Sequence, residues 1–249
     1  MKKIGIIGYG HMGKAIAVAL KKASYKVITS DDSANNKKIP RTCDVVIICV
    51  WPTVVAQALD DIAPTITKNH IVISIAAGTP ISLIQKHLPR DAKIVRVMPN
   101  LPAQVGHGVS GWISINLTAP EKNLVRAILK TFGEEIEVQK EDHINMITAI
   151  SGSGPAYIFA VLETLEQKAR EVGLPAEEAR TLALATVRGA ALYAGSQAED
   201  FKTLKEMVKT KGGTTEAAFK ILEKKKWQNI FGAAIENAYQ RAREIGKKH

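Results

Sequence analysis

Two glycine-rich runs in this chain have the residue types and the spacing to hold anions. Gly8-Tyr9-Gly10-His11-Met12-Gly13 follows the apolar run Ile4 to Ile7 at once and opens a helical pattern through Met12, Ile16, Ala19 and Leu20. A G-x-G-x-x-G set between strand and helix suits a dinucleotide pyrophosphate. Its first glycine, Gly8, makes the tight turn; Gly10 lets backbone approach the phosphates; Gly13 lets helix and strand pack closely. The unpaired N–H groups and positive dipole end of the helix then face the anion. A glycine turn with no ligand is the alternative. The second run, Lys209-Thr210-Lys211-Gly212-Gly213-Thr214-Thr215, leads into a helical pattern over Glu216 to Leu222, with Thr214 or Thr215 expected at its cap. Backbone donors exposed by paired glycines, with two hydroxyls beside them, suit a small anion such as a carboxylate. A flexible loop ending in a helix cap also fits. Ser151-Gly152-Ser153-Gly154-Pro155 reads either as a tight turn or as a backbone-lined pocket wall.

The second strand should end near Ser30, which puts Asp31 where an acid binds the ribose 2′-hydroxyl of NAD, about 20 residues past the glycine loop. Asp31 and Asp32 favour NAD, Ser30, Lys37 and Lys38 would suit a 2′-phosphate, and a plain turn residue remains a third reading of Asp31. Other chemistry has little support. Histidines at 11, 70, 87, 107, 143 and 249, with Cys43 and Cys49 six apart on one expected strand, supply no metal-ligand spacing. No local Cys-His or Ser-His-Asp signature appears either. We therefore expect neither a metal nor nucleophilic catalysis.

Positioning these groups requires a packed scaffold, and the composition allows one. The 249 residues are 46% apolar, 23% charged and 5% aromatic, which excludes disorder and disulfide-stapled folds. Two cysteines, and an N-terminus unlike a signal segment, lead us to expect a cytoplasmic protein. The stretch from His143 to Leu162 is interrupted by Gly, Ser and Pro, so no membrane span is expected. The net charge of +10 divides as +8 over residues 1–100, −4 over 101–208 and +6 over 209–249. Without interleaved aromatics or a known module, this basicity does not point to nucleic acid, and Lys224-Lys225-Lys226 reads as a solvated helix end.

Strand-like runs at Ile4 to Ile7, Val27 to Thr29, Val45 to Val50, Ile71 to Ile75 and Ile94 to Val97 alternate with helical patterns, two of them opened by Pro52 and Pro80. This predicts a doubly wound, mostly parallel α/β sheet of Rossmann type, its strands covered on both faces. Gly111 to Ile115 should add a strand, and Pro120 should start a helix through Leu129 that ends near Gly133. Beyond about residue 141 only helices are expected, with Asp142 as a cap. Thr181 to Gly195 is rich in Ala and Gly, which lets helices approach closely, so the helical half is expected to pack against a second copy; an ordinary bundle within one chain is the alternative. The expected domains are 1–145 for the dinucleotide and 146–249 for substrate and dimerisation.

The runs Val97-Met98-Pro99-Asn100, Ser151-Gly152-Ser153-Gly154-Pro155-Ala156-Tyr157 and Gly212-Gly213-Thr214-Thr215 stand in order behind the first-strand fingerprint. Together with Ser74-Ile75-Ala76-Ala77-Gly78 they resemble the signatures of the pyrroline-5-carboxylate reductase family, and the resemblance extends over essentially the whole chain. It implies hydride transfer from NADPH, with NADH left open, to a cyclic imine, giving proline. It implies that Gly8, Gly10, His11, Met12 and Gly13 line the pyrophosphate, and that Ala76, Ala77 and Asn100 lie near ribose and nicotinamide. Gly212, Gly213, Thr214 and Thr215 would hold the substrate carboxylate, aided by Lys211, with the Thr215 hydroxyl near the ring nitrogen as the catalytic contact. The family also implies interlocked helical dimers that share active sites and in some members assemble further. The chain departs from the family at Trp51-Pro52, where Lys-Pro is usual, and at Lys209-Thr210-Lys211, where Thr-Ser-Pro is frequent. Other readings are a related cyclic-imine reductase, a β-hydroxyacid oxidoreductase using Lys168 or Lys202, and a nucleotide-binding regulator without turnover.

Overall fold

The computed structural model describes residues 2–247; His249 lies outside the described residues. The chain forms two compact units: one takes the chain to Pro155 and takes it up again from Asn237, and the other is Ala156–Glu236.

The first unit is built on one sheet. Its strands are β1 (Lys3–Ile7), β2 (Lys26–Ser30), β3 (Val45–Ile48), β4 (Ile71–Ser74), β5 (Lys93–Met98), β6 (Gly108–Ile115) and β7 (Gly133–Glu137), in the order β2-β1-β3-β4-β5-β6-β7. β1 to β5 are parallel, as expected, and the inner strands β1, β3 and β4 are covered on both faces; β2, at the sheet edge, is not, with Lys26, Ile28 and Thr29 exposed. Alternate residues feed separate cores. Ile4, Ile6, Val45 and Ile47 pack with Ile16 and Leu20 of α1 (His11–Lys22) and with Ile128 of α5 (Ala119–Leu129). Ile7, Val46 and Ile48 pack on the other face with Leu59 of α3 (Val55–Ile62) and Ile84 of α4 (Ile81–His87). α2 (Ser33–Asn36) is a single turn after β2.

The structure corrects several expectations. β6 begins at Gly108 and runs antiparallel to β5, and β7, which the sequence reading omits, pairs parallel with β6. β7 reads Gly-Glu-Glu-Ile-Glu, and two of its glutamates are engaged locally: Glu135 accepts from Trp112 Nε1 at 2.7 Å, and Glu137 pairs with Lys122 at 2.6 Å and with Arg126. Cys43 and Cys49 flank β3 rather than sharing it. α5 starts at Ala119, capped by Thr118 in a reciprocal box with Glu121. Asp142 is the first residue of α6 (Asp142–Ile147), and Glu141 takes the cap position.

The run at Ser151 to Pro155 does not interrupt the helix. A π-helical turn over Thr148–Gly152 joins α6 to α7 (Gly154–Glu171), with Ser153 N donating to Thr148 O at 2.8 Å. Pro155 falls in the first turn of α7, where a missing N–H leaves nothing unpaired. The helix Asp142–Glu171 is consequently long enough, and over part of its length apolar enough, to cross a membrane by length and composition alone.

The second unit holds the rest of α7, then α8 (Ala176–Ser196), α9 (Phe201–Val208), α10 (Thr214–Lys224) and the start of α11 (Trp227–Lys247). Among its described residues only Ala179 and Ala183 are buried. A Cβ added at Gly189, Gly195 or Gly232 would meet nothing within 4 Å, so the small residues are not used for close packing inside the chain.

Candidate active site

The parallel register sets Ile7, Ser30, Ile48 and Ser74 level, so the loops that follow β1 to β4 share one edge of the sheet. Strand order reverses between β2-β1 and β3, and ligands of open α/β sheets bind at the carboxyl edge beside such a switch point. The glycine loop lies there. Gly8 has φ +93°, and a Cβ on it would stand 2.7 Å from the Cys49 carbonyl carbon. A Cβ on Gly13 would come within 2.1 Å of the Gly8 carbonyl oxygen. On Gly10 it would meet nothing within 4 Å, so the close backbone approach left free there opens outward. Gly10 is also the N-cap of α1 and brings no side-chain oxygen to the first-turn N–H groups. His11 is exposed and Met12 packs partly against the core. A cradle of free donors beside open space fits a pyrophosphate.

Beside the loop, a cleft of about 190 Å³ is lined by Gly8, Asp31, Asp32, Val50 and Asp61, among others. Asp31 is exposed, and its Oδ1 accepts the Tyr9 N–H at 3.0 Å, tying the β2 end to the glycine loop. Ser30 is buried and donates its hydroxyl to Asn36 Oδ1 at 2.8 Å. Asp32 caps α2, accepting from Asn35 N at 2.8 Å and from Asn35 Nδ2 at 2.7 Å, and these bonds hold its carboxyl below the usual range. Burial alone would raise Asp61, but donors from Asn36, Ser33 and Gln57 outweigh it, so its carboxyl is also lowered. Trp51, three residues past the end of β3, is 81% exposed. Desolvation pushes the Cys49 thiol far up, which keeps it protonated and non-nucleophilic.

Ala76 and Ala77 follow β4 at the same edge, with Ala76 N donating to the buried Ser74 Oγ at 3.4 Å. Asn100, after β5, accepts from Val109 N at 2.9 Å and donates to Ser151 Oγ at 3.2 Å. A Cβ on Gly152 would stand 2.8 Å from Met98 Cε. The structure thus brings together Val97 to Asn100 and Ser151 to Gly154, which are far apart in sequence, and a π turn of this kind recurs at functional sites.

A supporting cluster escaped the sequence reading. Arg96, 4% exposed, donates to Glu141 Oε1 at 2.8 Å and to Asn145 at 3.3 Å. The same Glu141 oxygen accepts from Ile81 N at 2.7 Å, so one carboxylate joins β5, the start of α4 and the start of α6. A lone arginine inside the apolar run Ile94-Val95-Arg96-Val97 is the signal that would have flagged it.

In the second unit, Gly213 caps α10 without a side-chain bond, and Thr214 and Thr215 are the first helical residues, not the cap. Gly212 has φ +76°, and its N–H donates to Glu216 Oε2 at 2.9 Å. That bond, then the Lys220 charge, lowers the Glu216 carboxyl. Lys211 and Thr214 are exposed and Thr215 is half-buried. Lys168 is tied to Glu171 at 2.5 Å on the surface, and Lys202 is exposed on α9.

Comparison with known proteins shows what these loops belong to. Residues 141–245 match the family model of pyrroline-5-carboxylate reductase dimerisation, and residues 32–78 match that of coenzyme F420-dependent NADP oxidoreductases. The pyrroline-5-carboxylate reductase of Methanosarcina acetivorans is 34% identical over 99% of this chain and 99% of its own length. The chain belongs to the pyrroline-5-carboxylate reductase family. Bacillus subtilis pyrroline-5-carboxylate reductase 2 is 32% identical over 98% of this chain and 95% of its own. The solved reductase of Coxiella burnetii superposes with a TM-score of 0.90 at 34% identity, covering 98% of each chain. That of Plasmodium falciparum, solved with NADP bound, superposes at 0.88 with 28% identity and 98% coverage of each.

Proposed function

We propose that the protein reduces 1-pyrroline-5-carboxylate to L-proline, the last step of proline biosynthesis, using a reduced nicotinamide dinucleotide. The observation that carries this reading is the donor-rich Gly8–Gly13 cradle at the sheet's switch point, in a chain similar from end to end to pyrroline-5-carboxylate reductases.

A dinucleotide held at this edge supplies hydride for the carbon of the C=N bond. Gly8, Gly10, His11, Met12 and Gly13 hold its pyrophosphate, Asp31 stands at the ribose with Ser30 buried behind it, and Ala76, Ala77 and Asn100 lie towards the nicotinamide. Asn100 is fixed through Val109 and Ser151, and so keeps its place without help from the ligand. Glu216 already engages the Gly212 N–H, which leaves the first-turn N–H groups of α10, with Lys211 beside them, for the substrate carboxylate. The Thr215 hydroxyl donates to the ring nitrogen as its lone pair develops. A cyclic imine that protonates near neutral pH is electrophilic without a strong enzyme acid, so the chain's main contribution is positioning.

Residues 1–145 serve the dinucleotide and 146–249 serve substrate and dimerisation. The assembly is a homodimer, or a larger oligomer built from dimers. Its support is the second unit's lack of a core: Phe159, Leu182 and Leu192 are more than half exposed, and a groove of about 830 Å³ between α7 and α8 is lined by Phe159, Leu162 and Leu184. The same pairing would cover the apolar surface of Asp142–Glu171 without a membrane. Free thiols at Cys43 and Cys49 suit the reducing cytoplasm.

The test is isotopic. With nicotinamide dideuterated at C4, the product should be proline carrying one deuterium on the ring carbon bonded to nitrogen and remote from the carboxylate. Unlabelled product, or none, contradicts the reading.

A further inference from the structure

We propose that the ribose end of this site selects a free 2′-hydroxyl over a 2′-phosphate, so that NADH binds more tightly than NADPH, with Asp31, Asp32 and Asp61 as the specificity-determining residues. The proposal rests on the reading of Gly8–Gly13 as the dinucleotide site. NADPH is still accepted; the claim concerns rank.

Three carboxylates and no lysine or arginine line the cleft beside the glycine loop. Donors at the end of β2 that could have welcomed a phosphate are already engaged. The Ser30 hydroxyl points inward, to Asn36 Oδ1 at 2.8 Å and the Asp32 carbonyl at 3.1 Å. The Asn35 N–H at the start of α2 is taken by the Asp32 carboxylate at 2.8 Å.

The carboxylates are also held in place. Asp31 is fixed by the Tyr9 N–H, and Asp61 accepts from Ser33 Oγ at 2.7 Å, Asn36 Nδ2 at 2.9 Å and Gln57 Nε2 at 2.9 Å. These donors keep Asp61 ionised, so it cannot relieve repulsion by taking up a proton at neutral pH. The nearby cations do not reverse the balance. Lys38 Nζ is bonded to Asn35 Oδ1 at 2.7 Å, Lys37 is exposed outside the cleft lining with its charge towards Asp61, and Lys14 lies over the Tyr9 ring. A 2′-phosphate brings roughly −1.5 to −2 charges into this setting, whereas a hydroxyl can donate to a carboxylate.

Isothermal titration of the full-length protein with NADH and with NADPH, at low and at high salt, tests this without turnover. The expected result is NADH at least about tenfold tighter at low salt, with the gap narrowing as salt screens the carboxylates. Asp31→Asn and Asp61→Asn should each tighten NADPH several-fold relative to NADH. Equal or tighter binding of NADPH by the unaltered protein overturns the proposal, as does a ratio indifferent to both salt and substitution. Failure of either dinucleotide to bind would overturn the site reading itself, and the proposal with it.

Discussion

The glycine loop allows a sharp separation of stability from binding. A Cβ on Gly10 meets nothing within 4 Å, and the residue's φ of −70° and ψ of −164° suit alanine. Gly10→Ala should therefore cost only what an alanine N-cap costs relative to glycine, about 0.5–1 kcal/mol. For a domain of this size that is a fall in Tm of about 1–4 °C. The same methyl would fill space assigned to the pyrophosphate, and losing one close phosphate approach should weaken dinucleotide binding by at least about tenfold, or 1.4 kcal/mol. Gly13→Ala is the contrast: its methyl falls 2.1 Å from the Gly8 carbonyl oxygen, so helix and strand must part. Overpacking of this kind costs about 1–3 kcal/mol, and binding should fall together with stability. Differential scanning fluorimetry and titration calorimetry on both variants suffice. Unchanged dinucleotide affinity in Gly10→Ala would refute the placement of the phosphates, and an unchanged Tm in Gly13→Ala would refute the packing argument.

Four further outcomes are expected. Thr215→Ala should lower kcat markedly with folding intact, while Thr215→Ser restores much of it; unchanged kinetics in the alanine variant would remove Thr215 from the mechanism. Glu141→Ala leaves the Arg96 guanidinium buried without its carboxylate, a loss of about 3 kcal/mol that chemical denaturation would read as a lower midpoint at unchanged slope. The Tyr239 hydroxyl, then Asn145, holds the Asp142 carboxyl below its ordinary range. The stabilisation is therefore full above that range and lost as pH falls through the depressed value, so the Tm gap between wild type and Asp142→Asn should close below about pH 4. In light scattering the active species should be a dimer or a multiple of one, and a fully active monomer would contradict the assembly proposed for the helical half.

Much of this architecture was legible because the parallel strands are apolar on both faces and the punctuating glycines stand at chain turns. Ile4 to Ile7 followed by Gly8, Gly10 and Gly13 could be read residue by residue; the Cβ contacts give Gly8 and Gly13 the tight turn and close packing expected of them and leave Gly10 facing open space. What stayed hidden depends on partners remote in sequence. β7 is an edge strand in which Glu137 pairs with Lys122 and Arg126 and Glu135 accepts from the Trp112 indole, so its own pattern carries no apolar alternation. The π turn at Thr148–Gly152 reads locally as a loop because glycine and serine disfavour helix, and it is held by Asn100 and Met98 from elsewhere in the unit. Ser30 looked available to a phosphate, but its position in the β2 register turns the hydroxyl towards Asn36. Glu216 stands in the sequence only as the start of a helical pattern, and nothing local marks that its carboxylate sits on the Gly212 N–H.

The most direct measurement is the initial loss of absorbance at the reduced-nicotinamide band, with pyrroline-5-carboxylate as substrate and NADH or NADPH in parallel. Turnover with stoichiometric proline formation is the expected result. Folded, dinucleotide-binding protein that turns over neither cofactor would contradict it.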